Sequence, residues 1–531
     1  GHGTVVEERD GRFFLDVVAA RDRGMVFVNS NSRTTAQVWV LRADKEGTVR
    51  AVPVARRRSG LRYFCDHVEV DQVGGVGSRG FVLVTHNARA KSNFEVCAVE
   101  ESRFFEGIGA DVELEDLLAD AAVPVATHST ERHIVDVHAF RNHLVLFDRE
   151  DGNHSMRIAH LKLSELGAPG FILTSELEDV DLEPSLPSEF QLGIGPFLTL
   201  DAHPNLDPTA KNLRVAVSSP LNCPCELDVP LDSPRSVTVV SSLEFSPNIQ
   251  QMLSSLTVQR LHSASSARVP ITLVHQKGAK MDGSSPLLLH VYGAYGECIP
   301  TSLKPEHLLL LSRGWALAYA YVRGGGERGP NWHREGRCEH KMNSVHDLLD
   351  CLEFLHGNST GSASEAVSCP EKTVLHAHSA GALTAAAAAN TRPDLIRAMI
   401  LKAGFVDLLG TMHADPETTP LVAHEYDEWG HPEENQEVMR QLCPMTNLPT
   451  DEDEMRHFPA VLATGGEHDR RVPFEMPLKY ILKLRERSRK LLGSDERADA
   501  FLYLFEKGGS HFDNEGWAAA RDVAFCLEQT K

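Results

Sequence analysis

Ser379 stands at the end of a short β-prone run, Thr373-Val374-Leu375-His376-Ala377-His378-Ser379-Ala380-Gly381-Ala382, with an alanine-rich stretch from Ala385 to Ala389 behind it. A strand that turns sharply into a helix can lift one hydroxyl above a sheet, and only small neighbours permit such a turn. A serine hydroxyl is a poor nucleophile at neutral pH until an imidazole removes its proton, and a carboxylate must hold that imidazole. Two later strand ends offer both groups. Residues 459–463 run through Thr464-Gly465-Gly466-Glu467-His468 to Asp469, and residues 501–505 run into Glu506-Lys507-Gly508-Gly509-Ser510-His511. The chemistry this permits is attack on a carbonyl through a covalent acyl intermediate, which needs neither a metal nor an organic cofactor. Ala377 replaces the first glycine of the G-x-S-x-G pattern, so the serine segment alone reads more readily as an ordinary strand–helix turn. The three segments together, each in a loop after a strand, are far more specific.

Other reactive types compete with these. His378 and His468 adjoin the serine and the aspartate, but a neighbour on a tight turn points its side chain away. Asp407, after Gly404-Phe405-Val406, is the second candidate for the acid, and Asp513 reads as a solvated loop carboxylate. Arg323-Gly324-Gly325-Gly326-Glu327 lacks the spacing of a phosphate-binding loop and is expected to be a turn fixed by an ion pair. Cys223 and Cys225 have no second ligand pair at metal spacing.

The elements that must position these groups fall into two parts. Residues 1–237 read as short strands joined by polar turns, with cores at residues 25–28, 81–84, 144–147 and 213–217, and a second strand such as residues 37–41 following a turn. The unit recurs at roughly 60 residues, which predicts about four blades of a β-propeller; a β-sandwich fits the same alternation. From 238 onward a hairpin (residues 256–261 and 269–274) precedes apolar strands at 287–291, 317–322, 373–377, 399–401, 460–463 and 501–505. Val345, Leu348, Leu349, Leu352 and Leu355 share one helical face between them. This alternation predicts a mostly parallel sheet with helices on both faces, and the Ser, Asp, His order is that of an α/β hydrolase. Residues 357–368 and 488–500 are expected to be polar loops.

Composition sets limits on function. A chain of 531 residues with 42% hydrophobic and 24% charged residues is globular and long enough for two or three domains. A formal charge of −21 argues against nucleic acid and is compatible with a cytosolic protein or with basic substrates. No apolar run of about eighteen residues predicts a membrane span. The start, Gly1-His2-Gly3-Thr4, is read as that of a fragment, and the scattered cysteines as reduced cytosolic thiols.

The second part resembles the catalytic domain of the prolyl oligopeptidase family of serine hydrolases. The likeness spans roughly residues 255–531 and is weaker over the β-rich part. It rests on His290-Val291-Tyr292-Gly293-Ala294-Tyr295-Gly296, Tyr321-Val322-Arg323-Gly324-Gly325-Gly326-Glu327, Tyr426-Asp427-Glu428-Trp429-Gly430-His431-Pro432 and Asp469-Arg470-Arg471-Val472-Pro473. The resemblance implies Ser379, Asp469 and His511 as the catalytic residues, with Tyr292 and the backbone N–H of Ala380 as the oxyanion hole. It places Arg471 among the substrate-binding residues. It also sets Glu425 and Asp427 where oligopeptidase B has paired acids for a basic residue. The family's propeller has seven blades and a preceding segment joined to the hydrolase domain, so about four blades imply an incomplete β-propeller. Ala377, Ala382 and the Ser510-His511-Phe512 context depart from the family's glycine-rich patterns. They resemble its prolyl endopeptidase-like branch, which implies ester or thioester hydrolysis with weak peptide cleavage. The alternatives are an oligopeptidase cleaving after basic residues and a scaffold in membrane trafficking. The partners so implied are a small ester, thioester or short peptide, trafficking adaptor proteins and a second copy in a homodimer. The implied location is the cytosol and the Golgi.

Overall fold

The computed structural model describes residues 3–531 except 44–46, 73–76, 167–169, 183–196, 233–235, 359–365, 416–420, 494–496 and 513–515. Four four-stranded antiparallel sheets come first, from strands within residues 14–53, 63–126, 133–179 and 199–241, each paired in chain order. Period-two patterning builds them. In Ala36–Ala43, Val38 and Val40 are buried while Gln37 and Trp39 are only half-buried.

Each sheet packs face to face on the next. Phe27, Val38 and Val40 of the first meet Val82, Val84 and Val99 of the second. Phe81, Leu83 and Ala98 of the second share a core with Leu144, Leu146 and Leu161 of the third. Phe147, Met156 and Ile158 of the third pack with Val215, Val217 and Leu227 of the fourth. Serial packing of four sheets is the arrangement of propeller blades and rules out a two-sheet sandwich. The four blades form an incomplete propeller, whose first strand, Phe14–Ala19, is exposed at every residue.

The fourth sheet's last strand is Thr238–Ser241, paired through Leu227 and Val239. The strand therefore lies past residue 237, where the sequence reading ended the first part. We place the join between Ser241 and the helix Pro247–Ser254.

The remainder is one eight-stranded sheet. Its strands run, from edge to edge, Leu256–His262, Pro270–Gln276, Ala316–Ala320, Leu287–Val291, Thr373–His378, Ala398–Lys402, Ala460–Gly466 and Phe501–Glu506. The first two form an antiparallel hairpin, Pro270–Gln276 is antiparallel to Ala316–Ala320, and every later pairing is parallel. Side chains alternate between two cores. Leu375, Ala377, Met399, Leu401, Val461 and Ala463 point to one, and Val374, Ile400 and Leu462 to the other. Helices cover both faces, as a buried parallel sheet requires. Val345, Leu348, Leu352 and Leu355 of the helix Met342–Leu355 are fully buried on the first, while the helix Gly516–Gln529 buries Val523 and Phe525 on the second. The expected strand at 317–322 ends at Ala320, beyond which the chain leaves the sheet. Ser488 is not in a loop: it belongs to the helix Glu475–Leu492, whose buried face carries Tyr480, Ile481, Leu484 and Ser488. Gly493, at φ +67°, ends that helix because a left-handed residue is needed there. Most of the expected loop at 357–368 and Asp513 lie outside the described residues.

Candidate active site

Ser379 follows the central strand Thr373–His378 and precedes the helix Gly381–Thr391, at φ +53°. A non-glycine residue in this left-handed region is strained, and here it is fixed from both sides. The Ser379 N–H donates to the Lys402 carbonyl at 2.9 Å, and the Phe405 N–H donates to the Ser379 carbonyl at 3.0 Å. Small residues make the turn feasible. A Cβ on Gly381 would lie 2.7 Å from the Val291 carbonyl oxygen, and the alanines from Ala385 to Ala389 are all buried.

Asp469 and His511 come together from the ends of neighbouring parallel strands. His511 Nδ1 hydrogen-bonds Asp469 Oδ2 at 2.7 Å, with side chains 6% and 0% exposed. The other oxygen of Asp469 accepts from the N–H groups of Arg471 and Val472 at 2.8 and 2.9 Å, which fixes the carboxylate's orientation. His511 therefore has Nε2 as the nitrogen that can accept a proton. Ser379 and His511 line the same cavity, of about 1160 Å³. Among the described residues no hydrogen bond joins them directly.

Tyr292 and Ala380 border the cavity at the serine. Burial raises the Tyr292 phenol's pKa, which keeps it a neutral donor. The Ala380 N–H lies at the helix N-terminus, where the helix itself offers no acceptor. Both donors suit an oxygen that gains negative charge.

The remaining candidates sort themselves. Arg471 lines the cavity with its guanidinium 5.0 Å from the Phe512 ring centroid, and Phe512, 63% exposed, stands edge-on to His511. Glu425 and Asp427 are separated. Glu425 lines the cavity, whereas Asp427 accepts from Thr34 Oγ1 at 3.2 Å, and its carbonyl receives Arg337. Asp407 caps the helix Leu408–Met412 through the Gly410 N–H. Arg323 makes the expected ion pair, with Asp347 at 2.6 Å, and Gly324, Gly326 and Gly336 pack backbone against backbone where no Cβ fits. Cys223 and Cys225 lie on the strand Asn222–Pro230, and all ten thiols are free.

Sequence reasoning missed Glu428. It is fully buried and receives Lys341 Nζ at 2.8 Å and His333 Nε2 at 2.7 Å, while Lys341 also donates to the Gly293 carbonyl at 2.6 Å, next to Tyr292. The only signal was its place in the Tyr426–Pro432 segment. A single lysine in the Cys338–Met342 stretch announces nothing by spacing.

A strand–serine–helix turn on a mostly parallel sheet, with a buried His–Asp pair at the neighbouring strand ends and propeller blades alongside, defines an α/β-hydrolase fold of the two-part kind. Residues 301–522 carry a prolyl oligopeptidase family domain, and the chain spans about two thirds, or somewhat less, of the length of the curated relatives it matches. It is similar to prolyl endopeptidase-like of Xenopus laevis, 30% identical over 536 residues that cover 98% of this chain and 66% of that protein. It is also similar to Protease 2 of Moraxella lacunata, 26% identical over 532 residues, 99% of this chain and 66% of that one. Among solved structures, oligopeptidase B from Trypanosoma brucei, in a closed form with covalently bound antipain, shares the fold at a TM-score of 0.76 and 24% identity. That match covers 98% of this chain and 66% of the other. No helix among the described residues is long and apolar enough to cross a membrane.

Proposed function

We propose that this chain is a serine hydrolase that works through an acyl-enzyme and favours small esters or thioesters over peptides. The observation that carries the reading is the 2.7 Å bond between His511 Nδ1 and Asp469 Oδ2 beside a strained, cavity-facing Ser379. In this mechanism Ser379 Oγ attacks the substrate carbonyl while His511 Nε2 takes its proton. Asp469 keeps the imidazole in the required tautomer and stabilises the imidazolium. The new oxyanion is held by the Tyr292 hydroxyl and the Ala380 N–H. Collapse expels the leaving group, which takes the proton from His511. Water, activated by the same imidazole, then releases the acid and restores Ser379.

The preference for an activated acyl group rests on what surrounds the imidazole. Phe512 replaces a glycine-like approach with a ring against His511, which narrows the space a peptide backbone needs there. A thiolate or alkoxide leaving group asks less of proton delivery than an amine. A fluorophosphonate probe tests the reading. It is expected to label the wild type and not Ser379→Ala, with a short-chain thioester turned over faster than a peptide anilide. Absence of labelling in the folded wild type overturns it.

A second reading, cleavage after basic residues, is favoured by one observation: the Glu425 carboxylate in the cavity wall. Glu425 is not vacant, because Arg33 lies beside it.

A further inference from the structure

We infer that Arg33 is a specificity-determining residue that fills this chain's own acidic subsite at Glu425 and turns arginyl and lysyl substrates away. The inference rests on the hydrolase reading above and adds a substrate class to it: acyl groups without a positive charge.

Glu425 sits on the helix Leu421–Trp429. Its Oε2 accepts from the Tyr295 hydroxyl at 2.8 Å and from Trp429 Nε1 at 3.0 Å. A carboxylate beside an aromatic face is a receptor for a guanidinium, through charge on one side and the ring's π-cloud on the other. The receptor is occupied from within. Arg33 Nη2 lies 3.7 Å from Glu425 Oε1, and the Arg33 guanidinium carbon lies 3.9 Å from the Tyr295 ring centroid. Both side chains keep some access, at 23% and 25% exposure, and both line the cavity that holds Ser379, Tyr292 and His511.

The placement of Arg33 is built in. It stands in the turn between Val26–Asn31 and Ala36–Ala43 of the first sheet. The next residue, Thr34, donates to Asp427, two residues along the same helix, at 3.2 Å. Phe14 stands edge-on to His424 with ring centroids 4.3 Å apart, and His424 Nδ1 donates to the Arg12 carbonyl at 3.1 Å. The first blade is thus fastened to the helix at several points, which holds the backbone that carries Arg33 beside Glu425. A substrate bringing its own guanidinium would meet a carboxylate already neutralised and a like charge within a few ångströms.

A matched pair of thioesters tests this: benzyloxycarbonyl-arginine and benzyloxycarbonyl-norleucine thiobenzyl esters, compared by kcat/KM. The wild type is expected to prefer the norleucyl ester. Arg33→Ala and the near-isosteric Arg33→Gln are expected to raise the arginyl-to-norleucyl ratio at least about tenfold, as opening a desolvated charge subsite does. Arg33→Lys is expected to keep the ratio near the wild-type value, and Arg33→Ala combined with Glu425→Gln to remove the gain. A purely structural Arg33 would alter thermal stability and leave the ratio alone. A ratio unchanged in both neutral variants, while fluorophosphonate still labels them, overturns the role of Arg33 and leaves the hydrolase reading standing. A wild type that neither labels nor hydrolyses either ester overturns both.

Discussion

The Nε2–H of His378 donates to the backbone carbonyl of His511 at 2.9 Å, and the two rings lie 4.7 Å apart. Burial lowers the pKa of His378, so its imidazole stays neutral and acts as a fixed donor. The residue before the proposed nucleophile thereby anchors the loop that carries the proposed base. Two elements far apart in the chain, the serine turn and the 506–512 loop, are tied at the point where their side chains must cooperate.

Removing that tie is expected to slow turnover without preventing substrate binding. His378→Ala should lower kcat by roughly tenfold to a hundredfold, the scale of a misplacement near 1 Å, with KM little changed. His378→Gln, whose amide can donate to the same carbonyl, should recover most of the loss. A kcat for His378→Ala equal to the wild-type value would show that the loop holds His511 unaided.

Asp469 and Asp407 are both carboxylates beyond parallel strands, yet they differ in partner. Asp469→Asn should reduce kcat by about 10⁴, because the amide selects the wrong imidazole tautomer. Asp407→Ala should leave kcat unchanged and cost about 1 kcal/mol of stability, the value of a helix N-cap. Equal losses of activity in the two variants would contradict the assignment.

The buried Lys341–Glu428 pair underlies the turn that presents Tyr292, since Lys341 also holds the Gly293 carbonyl. Lys341→Met should destabilise the fold by about 3–5 kcal/mol, the cost of removing one partner of a buried ion pair, with His333 still bonded to the other carboxylate oxygen. Burial alone would raise the pKa of Glu428, but Lys341 and His333 outweigh it and hold the carboxyl at about 2. The pair's contribution is therefore present above pH 4.5 and is lost as pH falls toward 2. Denaturant titrations of the wild type and of Lys341→Met across that range should converge at the acid end. Parallel curves would refute the pairing.

What the sequence made legible was what repeats or follows a rule of order. Val345, Leu348, Leu352 and Leu355 repeat at helical spacing and are buried as expected. The strands that carry Ser379, Asp469 and His511 are short apolar runs whose neighbours in the parallel sheet are near neighbours in the chain. What it hid depends on contacts between single residues of unrelated segments. Thr34 meets Asp427 across 393 positions, and the Arg33–Glu425 pair beside it has no period, motif or composition to reveal it. Glu425 and Asp427 read as one acidic pair because they are two apart in sequence. On a helix, residues two apart point in different directions, so one reaches the cavity and the other the first blade. Ser488 reads as loop for a related reason: a charged tract hides the buried stripe of Tyr480, Ile481 and Leu484 that continues through it.

Glu327, whose backbone joins the third blade to the hydrolase domain, is expected to make folding stability depend on pH. Its side chain is 3% exposed. Its Oε1 accepts from the Ile299 N–H at 3.0 Å, while Oε2 has no hydrogen-bond partner among the described residues. Its carbonyl accepts from the Gly152 N–H at 2.9 Å, in the turn where Asp151 pairs with Arg328 and His262. Burial pushes the Glu327 carboxyl up to about 7, ahead of the opposing N–H bond from Ile299. A group whose folded pKa exceeds its unfolded value of 4.5 favours the folded state at low pH, and that advantage disappears as pH rises through 7. The folded state should therefore lose stability between pH 4.5 and 7, by up to roughly 3 kcal/mol. Glu327→Gln should flatten the dependence of Tm on pH in that window and leave the acid limb governed by Glu428. A Tm profile of Glu327→Gln with the wild-type slope between pH 4.5 and 7 would place the titration on another group.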